Sequence, residues 1–173
     1  MTFKTFVLTL SIIFSVTMAQ AQRVAVVDVD GILQNLTDYQ AAQNEIDQLT
    51  ANWRQEIAQE YDKIKSLYNK LQAESVLLSD DVKMEREEEI ISKEREVREL
   101  QKRRFGPEGD LFRRRRELVS PIQDQVFTAI EEYAKIKGYD LIFDKAAAAG
   151  LLFANEEFDK TDEIMRELGV RRN

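Results

Sequence analysis

The residue types that most often carry out chemistry in proteins are scarce in this 173-residue chain, which contains no cysteine and no histidine. These two zero counts exclude thiol and imidazole nucleophiles, disulfides, zinc fingers and Ser-His-Asp triads. Neither of the glycine-rich phosphate motifs, GxGxxG and GxxxxGKS, occurs. An enzyme would have to work with carboxylates, lysine or serine alone, so we expect a non-enzymatic protein that needs no cofactor.

Four aspartates near the ends of predicted strands are candidates for a carboxylate pair or a calcium site. Asp28 and Asp30 close the first strand, and Asp140 and Asp144 flank the second. The sequence has no DxDxDG-type calcium loop, and aspartates at strand ends usually cap helices and turns. Capping is therefore the favoured interpretation, and no metal is expected.

The densest basic charge lies between Leu100 and Val119, with seven basic residues against three acidic ones, a local net charge of +4. The basic residues are Lys102, Arg103, Arg104, Arg113, Arg114, Arg115 and Arg116. The run 113–116 could bind carboxylates or phosphates of a partner, or it could pair with acidic residues of an opposite helix. Four consecutive residues point in all directions around a helix, which favours pairing. The expected acidic neighbours are Glu56, Glu60 and Asp62.

The first 21 residues have the pattern of a secretory signal peptide. Lys4 provides a positive start, Phe6–Val16 is apolar, and Ala19-Gln20-Ala21 has the small-x-small form of a cleavage site. A retained membrane anchor is the alternative, but the apolar run falls short of about 20 residues. We therefore expect cleavage after Ala21 and export to the periplasm. Removal of Lys4 leaves 24 basic against 32 acidic residues, a net charge of −8. That charge disfavours nucleic acid as a partner.

The elements that position these residues follow from the apolar pattern. Arg23–Asp30 is β-branched and apolar and predicts a buried strand. A helix is expected from about Asp38, and its apolar residues recur in steps of three and four, as in a coiled coil. A second such stripe ends at Lys137-Gly138, a basic last turn followed by a capping glycine. Two short strands, 139–144 and 151–154, and a closing helix over 161–168 complete the prediction.

Two points between the predicted strands could reverse the long helix. A turn at 106–109 would give arms of about 102 Å and about 42 Å at 1.5 Å per residue, which could not bring the strands together. We therefore place the tip at 79–81 and expect a kink at Gly106-Pro107-Glu108-Gly109. A second bend or restart is expected at Pro121, which follows a capping serine.

These elements predict a mostly α, α+β fold, in which a small β body carries a long antiparallel helical hairpin. We expect the body to comprise 22–37 and 138–173, and the hairpin arm to comprise 38–137. Three short strands cannot bury a sizeable core alone. The chain is therefore expected to form an oligomer in which several copies share one sheet or barrel.

The whole arrangement resembles the Skp/OmpH family of periplasmic chaperones. The resemblance is carried by RVAVVDVDGILQNL after the signal peptide and by LVSPIQDQVFTAIEEYAKIKGYDLIFDK after the hairpin. It extends to GLLFANEEFDKTDEIMRELGV at the carboxyl end. Its most specific parts are the first strand and the segment 118–144, since the hairpin is generic heptad sequence.

This resemblance implies a homotrimer with a small β-barrel body and three arms around a cavity. It also implies an ATP-independent holdase that cages unfolded outer-membrane β-barrel proteins and prevents their aggregation. The implied trimer body is formed by Val24, Val26, Val27, Val29, Leu141, Ile142, Phe143, Leu151, Leu152 and Phe153. Basic members of the family attract acidic lipid, whereas this chain has an isoelectric point near 4.9, so lipid is not an expected partner.

Residues beside the predicted kink are candidates for contact with an unfolded client or for motion. The candidate client contacts are Arg103, Arg104, Phe105, Phe112, Arg113 and Arg116. The aromatic residues among them could instead pack the arm against its partner helix. Gly106, Pro107 and Gly109 are a candidate hinge, with a static kink as the alternative. If the chain binds no client, the expected function is that of an exported coiled-coil scaffold of the cell envelope.

Overall fold

The computed structural model describes residues 22–147 and 151–170. The expected signal peptide and its cleavage site at Ala21 lie outside these residues. The described chain contains two short strands, five α-helices and one 3₁₀ helix. It divides into two compact units. We call Leu33–Phe127 the hairpin unit, and the other described residues, 22–32, 128–147 and 151–170, the terminal unit.

The terminal unit is built on a two-stranded parallel sheet. Strand β1, Val24–Val27, pairs with β2, Leu141–Asp144, in a register that places Val24 opposite Leu141. Ala25, Val26 and Val27 are buried, as expected for a β-branched apolar run. The sheet is small, and the described part of the chain is mostly helical, so the predicted α+β fold class is confirmed.

The first strand is shorter than the sequence predicted, because Asp28 caps the start of a helix. Helix α1 spans Val29–Asn35. The Asp28 side chain accepts a hydrogen bond from the Gly31 N–H at 2.8 Å, and its carbonyl accepts one from the Ile32 N–H at 2.9 Å. These are the bonds of a helix N-cap. The prediction of a strand over Arg23–Asp30 was therefore wrong after Val27, and Val29 is a buried helical residue.

The predicted strand at 151–154 was also wrong. Residues 151–155 have no regular secondary structure, and a 3₁₀ helix follows at Glu156–Phe158. Leu152 and Phe153 are 97% and 78% exposed. A strand needs a neighbour for its backbone N–H and C=O groups, and within the described chain this run has none.

The closing helix α5, Thr161–Glu167, agrees with the sequence prediction, and Gly169 after it has a φ of 73°. Its start is held by Asp159, whose side chain accepts hydrogen bonds from the N–H and hydroxyl of Thr161. Lys145 Nζ lies 2.8 Å from the second Asp159 oxygen. Burial alone would raise the pKa of Asp159, but these hydrogen bonds outweigh it and lower the pKa.

Asp159→Ala should therefore destabilise the protein in a pH-dependent way. At pH 7 we expect the free energy of unfolding to fall by about 1–2 kcal/mol, as for the loss of a capping side chain. The folded-state pKa is lowered, so the contribution is present above the unfolded value of about 3.9 and is lost as pH falls through the folded pKa. Urea unfolding of variant and wild type at pH 7 and pH 3 measures the difference in their free energies of unfolding. If that difference is the same at both pH values, the Asp159 carboxylate does not make the predicted pH-dependent contribution.

The hairpin unit is formed by long helices. Helix α2 spans Thr37–Glu74, α3 spans Asp80–Phe105, and α4 spans Asp110–Lys137 and leaves this unit after Phe127. At 1.5 Å per residue, α2 is about 57 Å long and α3 about 39 Å. The turn between α2 and α3 occupies 75–79. Pro121 lies inside α4, which continues through it, so the helix does not restart there.

The core between α2 and α3 is a single apolar seam. Ile57, Ile64, Ile90 and Val97 are buried in it, and Leu67, Leu71, Leu100 and Phe105 pack against them. Hydrogen bonds cross the two helices beside this seam, for example from the Tyr68 hydroxyl to Glu94 at 3.0 Å. The sequence repeat in steps of three and four thus gives the buried faces of the two helices.

Candidate functional site

The break between α3 and α4 is organised around Arg104. Its guanidinium lies 4.9 Å from the centroid of the Trp53 ring, 3.4 Å from a Glu56 oxygen and 2.7 Å from an Asp110 oxygen. Phe105 meets the edge of the same Trp53 ring at a centroid distance of 6.2 Å. Arg104 and Phe105 are both candidate client contacts, and in the structure both also make contacts within the hairpin unit. Their contact with a client stays a prediction.

The acidic partners of the basic run differ from those that the sequence predicted. Arg114 pairs with Glu45 and Glu117, and the hydrogen bond from Arg114 to Glu45 raises the pKa of this guanidinium. Glu56 pairs with Arg104. The reason is geometric. With the turn at 75–79, pairs such as 104–56 and 114–45 lie opposite each other. Arg114 therefore faces the segment near residue 45, Arg113 pairs with Asp110, and the predicted pairing of the run 113–116 with Glu56, Glu60 and Asp62 was wrong.

Arg113 is also engaged within the break. Its guanidinium pairs with Asp110 at 2.5 Å and donates to the Glu108 carbonyl oxygen at 2.9 Å. Asp110 thus bridges Arg104 and Arg113. A hinge motion at 106–109 would have to break or carry along these ion pairs.

Close backbone approach explains the two glycines of the break. A Cβ atom on Gly106 would overlap the Lys102 carbonyl oxygen, which accepts a hydrogen bond from the Gly106 N–H at 2.8 Å. A Cβ atom on Gly109 would lie 2.7 Å from the Arg103 carbonyl oxygen. The residue with positive φ is Glu108, at 57°. Gly106 and Gly109 are therefore needed for space, and Pro107 between them is exposed.

Three of the six candidate client contacts present free side chains. Arg103 and Arg116 are exposed and, among the described residues, have no hydrogen bond or ion pair. Phe112 is 51% exposed. Phe112 and Arg116 are four residues apart on α4, so they share one helix face. We use the name arm surface for these three residues, of which Phe112 and Arg116 share one face of α4 and Arg103 lies on α3.

A second exposed apolar surface belongs to the terminal unit. Leu141 and Phe143 alternate along β2 and are 48% and 44% exposed. Leu151, Leu152 and Phe153 are also exposed. We call these five residues the body surface. Among the other residues expected in the trimer body, Val26, Val27 and Val29 are buried within the chain. Val24 and Ile142 are partly buried.

Three of the four candidate metal-ligating aspartates have structural roles. Besides the N-cap of Asp28, the Asp140 side chain accepts the Arg23 N–H at 2.8 Å. The Asp144 side chain accepts the Val29 and Ala146 N–H groups. Asp30 is exposed. No group of three acidic side chains in the described part of the chain could hold a metal ion.

Two features escaped the sequence analysis. Arg23 lies over the Tyr139 ring at 4.8 Å and donates to the Lys137 carbonyl oxygen at the end of α4. No periodicity predicts a contact over more than a hundred residues. Val76 and Leu77 in the turn before α3 are 92% and 86% exposed. The exposure of these two residues could have been predicted from the sequence, because both are apolar and lie outside the stripe of apolar residues that recur in steps of three and four.

Comparison with known proteins identifies the family. The sequence model of the family described as outer membrane protein (OmpH-like) matches residues 23–168. The chain belongs to the OmpH-like family. No curated protein matches the chain. Among the described residues, no helix has both the length and the apolar character of a membrane span.

A solved structure shares the fold of this OmpH-like chain. It comes from Caulobacter crescentus CB15 and is described as a candidate outer membrane chaperone, OmpH-like. The TM-score is 0.70 and the sequence identity 14%, over 86% of this chain and 84% of the other. The resemblance found in the sequence is thereby confirmed at the level of family and fold.

Proposed function

We propose that this chain is an ATP-independent holdase chaperone of the periplasm. It would bind unfolded outer-membrane β-barrel proteins and keep them from aggregating. Family membership supports a chaperone role in general. The predicted signal peptide supports export. The observation that carries the proposal is the pair of exposed surfaces, one on a small body and one on a long charged arm.

The body surface supports self-association as a homotrimer. The sheet has two strands, and in the described chain β2 has β1 as its single strand neighbour. Its other edge offers unpaired backbone groups to another copy. Leu141 and Phe143, together with the exposed run 151–153, add apolar area beside a core too small to stabilise a body alone. In a trimer that shares strands among three copies, both the open edge of β2 and the exposed apolar side chains would be covered.

The arm surface supports client binding. Phe112 offers apolar area, and the guanidinium groups of Arg103 and Arg116 are available to client carboxylates. Such contacts are few and weak, so they hold an unfolded segment without ordering it. Release then needs no nucleotide, because no single contact is strong.

An aggregation assay tests this function. A barrel protein is diluted from urea into buffer with residues 22–173 of this chain, and light scattering is followed without nucleotide. We expect wild type to suppress scattering at stoichiometric amounts. The double variant Phe112→Ser with Arg116→Ser should require several-fold more protein, because it lacks the apolar and cationic contacts of the arm surface.

The matched control is Phe127→Ser with Arg115→Ser on the same helix. Phe127 is 55% exposed, close to the 51% of Phe112, and Arg115 is also exposed. We expect this control to behave as wild type. If wild type leaves the barrel protein to aggregate, the scaffold function replaces the chaperone. Equal losses in both double variants would remove the arm surface from the proposal.

A further inference from the structure

We propose that the turn between α2 and α3 is a docking site for basic, apolar polypeptide segments. We call Val76 and Leu77, together with the acidic residues Glu74, Asp81, Glu85, Glu87 and Glu88 of the same segment, the tip surface. This site is distinct from the arm surface and does not depend on the trimer.

The apolar part of the tip surface is held outward. Val76 and Leu77 are 92% and 86% exposed. The turn is closed by a hydrogen bond from the Leu77 N–H to the Glu74 carbonyl oxygen at 2.8 Å. The cavity beneath it, lined in part by Leu71, Leu78 and Ile90, has a volume of only about 10 Å³. Both side chains are thus left uncovered by the described chain.

The charge around these two residues selects the partner. Between Glu74 and Glu89 there are seven acidic and two basic residues, a net charge of −5. Both basic residues are already paired within α3, Lys83 with Asp80 at 3.4 Å and Arg86 with Glu89 at 3.3 Å. Five carboxylates in this segment have no ion pair in the described chain: Glu74, Asp81, Glu85, Glu87 and Glu88.

The helix dipole explains only part of this acidity. It favours negative charge within the first turn of α3, which accounts for Asp80 and Asp81. The effect falls off beyond that turn, so Glu85, Glu87 and Glu88 gain little from it. Carboxylates around exposed apolar side chains attract lysine or arginine next to leucine, isoleucine or phenylalanine. The same charge repels an anionic membrane.

A peptide-binding measurement on residues 22–173 tests the site. The probe is a short fluorescent peptide of alternating lysine and leucine, and its counterpart has glutamate in place of lysine. Fluorescence anisotropy should show binding of the basic peptide and at least about tenfold weaker binding of the acidic one. Salt at 1 M should weaken the first interaction, because surface charges are then screened.

Variants assign the binding to the tip. Val76→Ser with Leu77→Ser should weaken binding of the basic peptide about tenfold. Ile136→Ser, at a position 73% exposed in the terminal unit, should leave it unchanged. Asp81→Asn with Glu85→Gln and Glu88→Gln should weaken it and reduce its salt dependence.

The inference is overturned if the variant of Val76 and Leu77 binds the basic peptide as tightly as wild type, or if both peptides bind with equal affinity. Binding to anionic phosphatidylglycerol vesicles through these two residues would overturn it as well. The aggregation assay with the same variant separates the tip from the proposed holdase function. Loss of peptide binding with undiminished suppression of aggregation would place the two activities at different sites. Suppression by wild type without any peptide binding would reject the tip surface and leave the holdase intact.

Discussion

Replacement of Leu141 and Phe143 by aspartate should turn the proposed trimer into monomers. Both side chains are about half exposed in the chain, so the variant keeps its own core. In the proposed trimer they would be buried against another copy, where each contributes about 1.5–3 kcal/mol. Their loss, and the cost of burying a charge in their place, weakens each interface by more than about a hundredfold in dissociation constant. Light scattering after size exclusion should show a threefold lower mass.

The control for this prediction is Ile91→Asp in the hairpin unit. Ile91 is 50% exposed, similar to Leu141 at 48%, and lies outside the body surface. It should keep the mass of wild type, and circular dichroism should show unchanged helix content in both variants. A Leu141 and Phe143 variant that keeps the wild-type mass would remove β2 from the proposed interface.

Gly106→Ala should be the most damaging single substitution in the break. The new Cβ atom would overlap the Lys102 carbonyl oxygen, a backbone atom of the last turn of α3. The same oxygen accepts the Gly106 N–H, so relief of the overlap also disturbs the end of the helix. We expect the free energy of unfolding to fall by about 1–3 kcal/mol. Urea unfolding followed by circular dichroism measures it.

Pro107→Ala is the control for Gly106→Ala, because Pro107 is the next residue and its side chain is exposed. Its cost should stay below about 1 kcal/mol, the size of a loop proline effect. Gly106→Ala with the stability of wild type would show that the close approach to Lys102 is not a constraint. The hinge at 106–109 stays a prediction. Pro107→Ala alone tests it through the range of client sizes accepted, since the Gly106 change also perturbs the fold.

The helical hairpin could be predicted because its information is local and repeated. Apolar residues in steps of three and four, with no glycine or proline from Asp38 to Phe105, specify helices with one buried face. The requirement that the two strands meet puts the reversal at 79–81, and the structure has its turn at 75–79, with Asp80 and Asp81 already in α3. The end of α4 could be predicted as well, because Gly138 follows the last lysine of the helix. In the structure Gly138 has a φ of 69°, the conformation of a capping glycine.

The errors arose where one residue type fits two structures. Asp28 continues a β-branched run by composition, yet its side chain caps α1. The run 151–154 is apolar enough for a strand, but a strand also needs a hydrogen-bonded neighbour, which periodicity does not supply. For the basic residues at 102–116, the sequence could not show which arginines form ion pairs within the chain. Arg104 and Arg113 are paired across the break, whereas Arg103 and Arg116 are not.

The most direct test of the central claim is the mass of residues 22–173 by light scattering after size exclusion. It is measured alone and after mixing with a barrel protein diluted from urea. The proposed chaperone should have the mass of three chains alone and gain the mass of one soluble client in the mixture. A different copy number, or three chains that leave the client to aggregate, would contradict the caging trimer and favour the envelope scaffold.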